Sequence, residues 1–249
     1  MLREYTLFVL CTSRRHARRR LLDPALLRKL TFKFAPIGAG SFIVLHAAIK
    51  DATDAILEAN LPKKLRLGDG LDPKVDVGPV INKTALDRIH NYVQIGQKEG
   101  ARVLVGASVA DVGGKGFFYA PTLFDGVIPG STLEAEEIFG PVLSIVEVES
   151  LEEAIEVNNH SQYGLSTSIF TQDVNRAFTA MRDIATGLVY INHGTTGAEI
   201  QFPFGGVRGT GNGHREAGQA ALEVFTEWKS IYVDYSGKLQ RAQIDNREE

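Results

Sequence analysis

One cysteine in 249 residues, Cys11, excludes an intramolecular disulfide framework, and a reducing, cytoplasmic setting is the expectation. No apolar run approaches the ~18 residues of a membrane-spanning helix, so no membrane association is expected. Nor is there an excess of positive charge. Lys and Arg number 27 against 30 Asp and Glu, a net charge of -3, which argues against general nucleic-acid binding. The histidines form no His-Glu-x-x-His or comparable spacing, so no metal site is expected. Gly114-Lys115-Gly116 lacks the Ser or Thr that a phosphate-binding loop places after its lysine. What is present is ordinary for a globular chain, 44% hydrophobic and 23% charged.

The charge is unevenly spread. Residues 1–36 carry nine Lys or Arg against Glu4 and Asp23, with most of the excess in Arg14-Arg15-His16-Ala17-Arg18-Arg19-Arg20. One reading is a basic arm or an Arg-rich targeting segment. The other is sequence foreign to the fold behind it, and the absence of an amphipathic period favours that one. Residues 1–36 are therefore expected to be poorly ordered, to add no layer to the fold and to be dispensable.

From Gly38 onward the pattern is regular. Phe42-Ile43-Val44-Leu45 reads as a buried strand and Ala47 to about Asn60 as a helix, with turn-rich sequence over Leu67–Pro73. Asn82 is placed to cap a helix with Leu86, Ile89 and Val93 on one face, ended by Gly100. A short strand follows from Arg102 to Val105. Leu143–Val148 reads as a strand, followed by Ser150-Leu-Glu-Glu153, a capping box. Leu165–Phe170 is the next strand. Asp173 then caps a helix bearing Val174, Phe178, Met181 and Ile184, with Gly187 expected at its C′ position. Leu188–Asn192 is a further strand, Ala217–Trp228 a last helix, and Ile231–Tyr235 a last strand. Alternating strands and helices predict an α/β fold, an open, mostly parallel sheet with helices on both faces.

Chemistry in such sheets is expected in loops beyond the carboxyl ends of the strands. Two segments stand out as candidates. One is Glu136-Glu-Ile-Phe-Gly-Pro-Val142. The other runs from Phe202 to Gly218 and holds too many glycines for a routine connection. The spacing of Gly205, Gly206, Gly209, Gly211 and Gly213 is no dinucleotide fingerprint, because no first βα strand precedes it.

These two segments resemble signature stretches of the aldehyde dehydrogenase superfamily. So do Val77-Gly-Pro79, Tyr119-Ala-Pro-Thr122, Tyr163-Gly-Leu165 and Asn192 at the end of its strand. They stand in the family's order over about residues 38–245. The resemblance implies the family's catalytic α/β domain over residues 37–249, with a C-terminal oligomerisation strand at Ile231–Tyr235. It implies oxidation of an aldehyde to a carboxylic acid with NAD or NADP. Glu137 matches the glutamate that hydrogen-bonds the nicotinamide ribose. Phe139 matches the aromatic beside the nicotinamide, Phe204 a wall of the aldehyde pocket, and Asn192 an asparagine near the active site.

The family reaction needs a thiolate to attack the carbonyl. In the register of Phe34-Ala-Pro-Ile-Gly-Ala-Gly-Ser41 the family's cysteine falls on Ile37, which cannot form a thiohemiacetal. Cys11-Thr-Ser-Arg-Arg15 resembles the cysteine motif in isolation, but it lies 26 residues upstream of Ile37. No stretch matches the family's N-terminal cofactor domain. The expectation is a truncated member, inactive alone and binding NAD or NADP weakly or not at all. The alternative is an interaction module or split-enzyme half. Its partners would be a second copy, an N-terminal-half relative or a full-length aldehyde dehydrogenase.

Overall fold

A computed structural model describes residues 65–171, 173–195 and 199–238, together with the two strands Thr6–Cys11 (β1) and Ser41–His46 (β2). The expected helix from Ala47 to Asn60 lies outside the described residues. β1 and β2 share one sheet with Arg102–Val105 (β3), Thr122–Asp125 (β6), Val142–Val148 (β7), Ser166–Phe170 (β8) and Leu188–Ile191 (β9). The order is β3-β6-β7-β2-β1-β8-β9. All adjacent pairs run parallel except the edge pair β3–β6. Val109–Ala110 (β4) and Phe118–Tyr119 (β5) make a separate antiparallel pair. The α/β class and the largely parallel sheet are as expected.

The position of β1 corrects one expectation. Thr6–Cys11 lies between β2 and β8, with Thr6 opposite Ser41 and Ser166. Residues 1–36 thus contribute a central strand rather than no layer at all. The signal was Leu7-Phe8-Val9-Leu10, a continuous apolar run such as strands buried on both faces carry; the neighbouring arginine run masked it.

The helices follow their caps. Lys83–Lys98 (α1) opens at Asn82, whose side chain accepts from Ala85 N at 2.8 Å, and buries Leu86, Ile89 and Val93. Thr132–Ala135 (α2) is one turn. Leu151–His160 (α3) starts at Ser150, whose Oγ accepts from Glu153 N at 3.0 Å, and packs against β1, β2 and β7. Val174–Asp183 (α4) is capped by Asp173, which accepts from Asn175 N and Arg176 N. The core they enclose includes Ile89, Phe124, Ile138, Val146 and Ile169.

Four late expectations are corrected. On α4, Val174, Phe178 and Met181 are exposed, and the buried residues here are Ala180 and Ile184. Gly187 is not a C′ residue, because the helix ends at Asp183 with Ile184 as its cap. The expected helix Ala217–Trp228 is a 3₁₀ turn followed by Ala221–Phe225 (α5). Ile231–Tyr235 form no ladder with any described strand and are exposed. A strand exists through its partner's hydrogen bonds, and nothing described lies beside this segment.

Candidate functional site

The loops entering β7, β8 and β9 form the site. Gly140 and Pro141 lead directly into β7, with Pro141 O accepting from Thr122 N at 2.8 Å. Gln162–Leu165 lead into β8 and hold the glycine-rich loop. Val207 N donates to Gly164 O at 2.9 Å, Gly209 N to Gln162 O at 2.8 Å, and Gly164 N to Thr210 Oγ1 at 3.0 Å. Gly187 leads into β9 and touches Gly205, whose carbonyl oxygen would stand 1.8 Å from a Cβ at position 187. Both signature segments therefore sit at the amino ends of the parallel strands, not at the carboxyl ends. The carboxyl-end rule reflects helix N-termini that follow strands; these loops precede strands, and it does not bind them.

The first segment is clamped from behind by α1. A Cβ on Gly140 would strike Ile89 Cδ1 at 2.5 Å, and one on Gly96 would strike Leu133 Cδ1 at 2.2 Å. Glu99 caps α2, accepting from Thr132 N at 3.0 Å. Tyr92 Oη donates to Glu136 Oε2 at 2.7 Å. Burial, reinforced by that carboxylate, pushes the Tyr92 hydroxyl up to about 12, so it stays a donor. Glu137 Oε1 is shut off from solvent. Phe139 is partly exposed and adopts φ +56°, a left-handed conformation that costs a non-glycine residue about 1–2 kcal/mol.

Glu134, on α2, is buried and accepts from Gly130 N at 2.9 Å. Burial raises its pKa against the smaller opposing effects of that hydrogen bond and of His160. A raised carboxyl pKa means that the folded state prefers the protonated form. Its contribution is fully present below the unfolded value near 4.5 and is lost as pH rises through the folded one. Glu134→Gln keeps the acceptor and removes the charge. It is expected to stabilise the fold at pH 7 by roughly 1 kcal/mol, the ordinary scale of single substitutions, and to give no gain at pH 4. Urea titrations at the two pH values check this, and equal shifts at both would count against it.

The second segment closes on itself. Phe204 N donates to Glu216 O at 2.6 Å and Glu216 N to Phe204 O at 2.8 Å. Inside, Arg215 Nη1 donates to Gly206 O at 2.9 Å. Arg208, at φ +54°, donates from Nη1 to Ala185 O and from Nη2 to Tyr163 O, each at 2.5 Å. These two arginines and Tyr92 were not singled out from sequence, and Gly187 was read there only as a helix C′ residue. Arginine among glycines, where freed carbonyls need donors, was the available signal.

The expected site residues do not all meet. Phe204 and the Glu137–Phe139 segment share the amino ends, with Gln162 Nε2 donating to Ala135 O at 3.5 Å between their anchoring stretches. Asn192 sits past the carboxyl end of β9, about 16 Å of strand from Gly187 at ~3.3 Å per residue. Its side chain binds Thr171 twice, accepting from Thr171 N and donating to Thr171 O, each at 2.9 Å. At φ +55° it ties the end of β9 to that of β8. Cys11 pairs in register with His46 at the carboxyl end of β1, the opposite end from both segments. Ile37 lies outside the described residues, upstream of β2, which enters the sheet at the same end as the two segments. Among the described residues no His, Cys, Asp or Glu cluster could hold a metal ion, and no helix is long and apolar enough to cross a membrane.

Comparison with known proteins adds a family. The model of the aldehyde dehydrogenase family matches residues 38–231. The Bacillus subtilis alpha-ketoglutaric semialdehyde dehydrogenase is 39% identical over 173 residues, 69% of this chain and 36% of that protein. A crystal structure of an NAD-dependent aldehyde dehydrogenase from Sinorhizobium meliloti superposes with TM-score 0.82 at 27% identity, covering 98% of this chain and 47% of that one. The P. syringae indole-3-acetaldehyde dehydrogenase, in complex with NAD+, gives 0.79 at 28% identity, over 92% and 45%. The chain thus spans less than half the length of these relatives.

Proposed function

The chain belongs to the aldehyde dehydrogenase family, and from that premise we propose that it supplies the catalytic-domain walls of an NAD(P)-dependent aldehyde site without supplying the nucleophile. What carries this is the sequence register of Phe34–Ser41, in which the resemblance sets Ile37 where the family's cysteine falls. NAD or NADP, when bound, accepts the hydride of such a reaction. Glu137 would accept hydrogen bonds from ribose hydroxyls, Phe139 would limit the nicotinamide's position, and Phe204 would keep water from the aldehyde carbon. An isoleucine offers no electron pair, so these 249 residues do not oxidise aldehydes by themselves. Residues 37–249 are the catalytic-domain part, and residues 1–36 are sequence foreign to the family, although Thr6–Cys11 pairs within the sheet.

The 249 residues hold one end of a dinucleotide site and no phosphate-binding strand–glycine–helix motif. NAD is therefore expected to bind with a Kd no tighter than about 1 mM, roughly 4 kcal/mol of affinity. Titration calorimetry on the full chain tests this, and a micromolar Kd would refute it.

A second reading is favoured by a separate observation. Phe225, Trp228, Ile231, Tyr232 and Tyr235 are all exposed, as are Val174, Phe178 and Met181 on α4. Apolar surface of this extent calls for a covering partner. The chain would then act as an interaction module for a second copy, an N-terminal-half relative or a full-length relative.

A further inference from the structure

We infer that Asn212 is a site of spontaneous backbone modification, deamidating through a cyclic imide formed with Gly213. Asn212 is the one asparagine followed by glycine in the sequence, and it is exposed in the middle of the glycine-rich loop. Its Oδ1 accepts from His214 N at 3.1 Å. This Asx turn curls the side chain along the Gly213–His214 backbone, and the accepted hydrogen bond draws electron density from its carbonyl carbon. Among the described residues nothing accepts from Nδ2, so the departing amine is not held. Gly213 stands at φ +94°, and a Cβ there would meet nothing within 4 Å. The loop has room to bring its nitrogen onto the side chain.

The other described asparagines are held in ways that oppose this. Asn192 is fixed by two bonds to Thr171. Asn82 caps α1, while Asn91, Asn158, Asn159 and Asn175 lie within helices, where the next backbone nitrogen is fixed by the helix.

The chemistry balances without a cofactor. The Gly213 backbone nitrogen loses its proton and attacks Asn212 Cγ. The Cγ–Nδ2 bond breaks, and the amine leaves with a proton as ammonia. Water then opens the five-membered imide at either carbonyl, giving aspartate or isoaspartate at position 212. Either product adds one negative charge beside His214 and Arg215. The isoaspartate also lengthens the main chain by one methylene next to Gly211. A Cβ on Gly211 would stand 2.2 Å from Gly206 O, so this lengthening acts on a tightly packed turn of the loop.

The test is to incubate the full chain at 37 °C at neutral and mildly alkaline pH, folded and in urea, and to map tryptic peptides by mass spectrometry. The peptide Gly209–Arg215 is expected to gain the mass of an amide-to-acid exchange, mostly as isoaspartate, on the order of tenfold faster than any other asparagine peptide. That is a modest part of what an oriented intramolecular attack supplies. The rate should rise with pH, and the folded chain should react at least as fast as the urea-treated one. Gly213→Ala should slow the reaction while leaving its products the same. Any of three results would overturn the proposal: a folded-state rate about tenfold below the unfolded one, aspartate without isoaspartate, or equal rates in the Gly213→Ala chain.

Discussion

Replacing Gly187 by alanine is expected to free the glycine-rich loop from the sheet and to destabilise the fold by about 3 kcal/mol or more, the upper range of overpacking. The added Cβ would lie 1.8 Å from Gly205 O and 2.8 Å from Gly205 C, where non-bonded carbons need about 3.5 Å. Both are backbone atoms of a buried residue, so no rotamer change relieves the clash. Moving Gly187 would pull its N–H, which donates to Gly164 O at 3.0 Å, out of the entry to β8. Moving the loop would break the bonds of Val207 and Gly209 to that same entry. The urea midpoint reads the cost, and tryptic cutting after Arg208 and Arg215 reads the loop's release. A variant with the parent's midpoint and cleavage rate would mean that the loop does not seat on β9 as described.

The second large effect is self-association. Trp228, Tyr232 and Tyr235 are 88%, 93% and 94% exposed, and exposed apolar patches mark interaction surfaces. Ile231–Tyr235 is a β-prone run with no strand partner among the described residues, and β9 is the edge of the sheet among the described strands. A second copy's segment could add to an unpaired edge as a strand does to any sheet. Light scattering at micromolar concentration should give at least twice the monomer mass. Val233→Pro removes a ladder donor and should lower it. A monomer mass for the parent chain, unchanged by Val233→Pro, would remove both this expectation and the interaction-module reading.

Local chemistry made much of the fold legible. Asn82, Ser150 and Asp173 each cap the helix they precede, because a short polar side chain meets amide donors that nothing else serves. What depends on distant parts of the chain was not legible. Leu7–Leu10 becomes a central strand only because β2 and β8 flank it. The α4 stripe has the period of a core-facing helix, but Val174, Phe178 and Met181 face outward, and period alone does not say which surface lies opposite. For the candidate site, Glu137, Phe139 and Phe204 are proposed on motifs whose glycines and strained residues serve close packing. Asn192 belongs to the same motif set but to the other end of the sheet, a separation of one strand length that linear spacing cannot display.

These residues are proposed to wall an aldehyde site whose nucleophile position is Ile37. The most direct measurement is aldehyde-dependent NADH or NADPH production by the purified chain, followed by absorbance beside a Cys11→Ala control. No production above background is expected from either protein with any aldehyde, since Cys11 lies at the far end of β1 from the candidate site. Aldehyde-dependent turnover that disappears in the Cys11→Ala chain would contradict it.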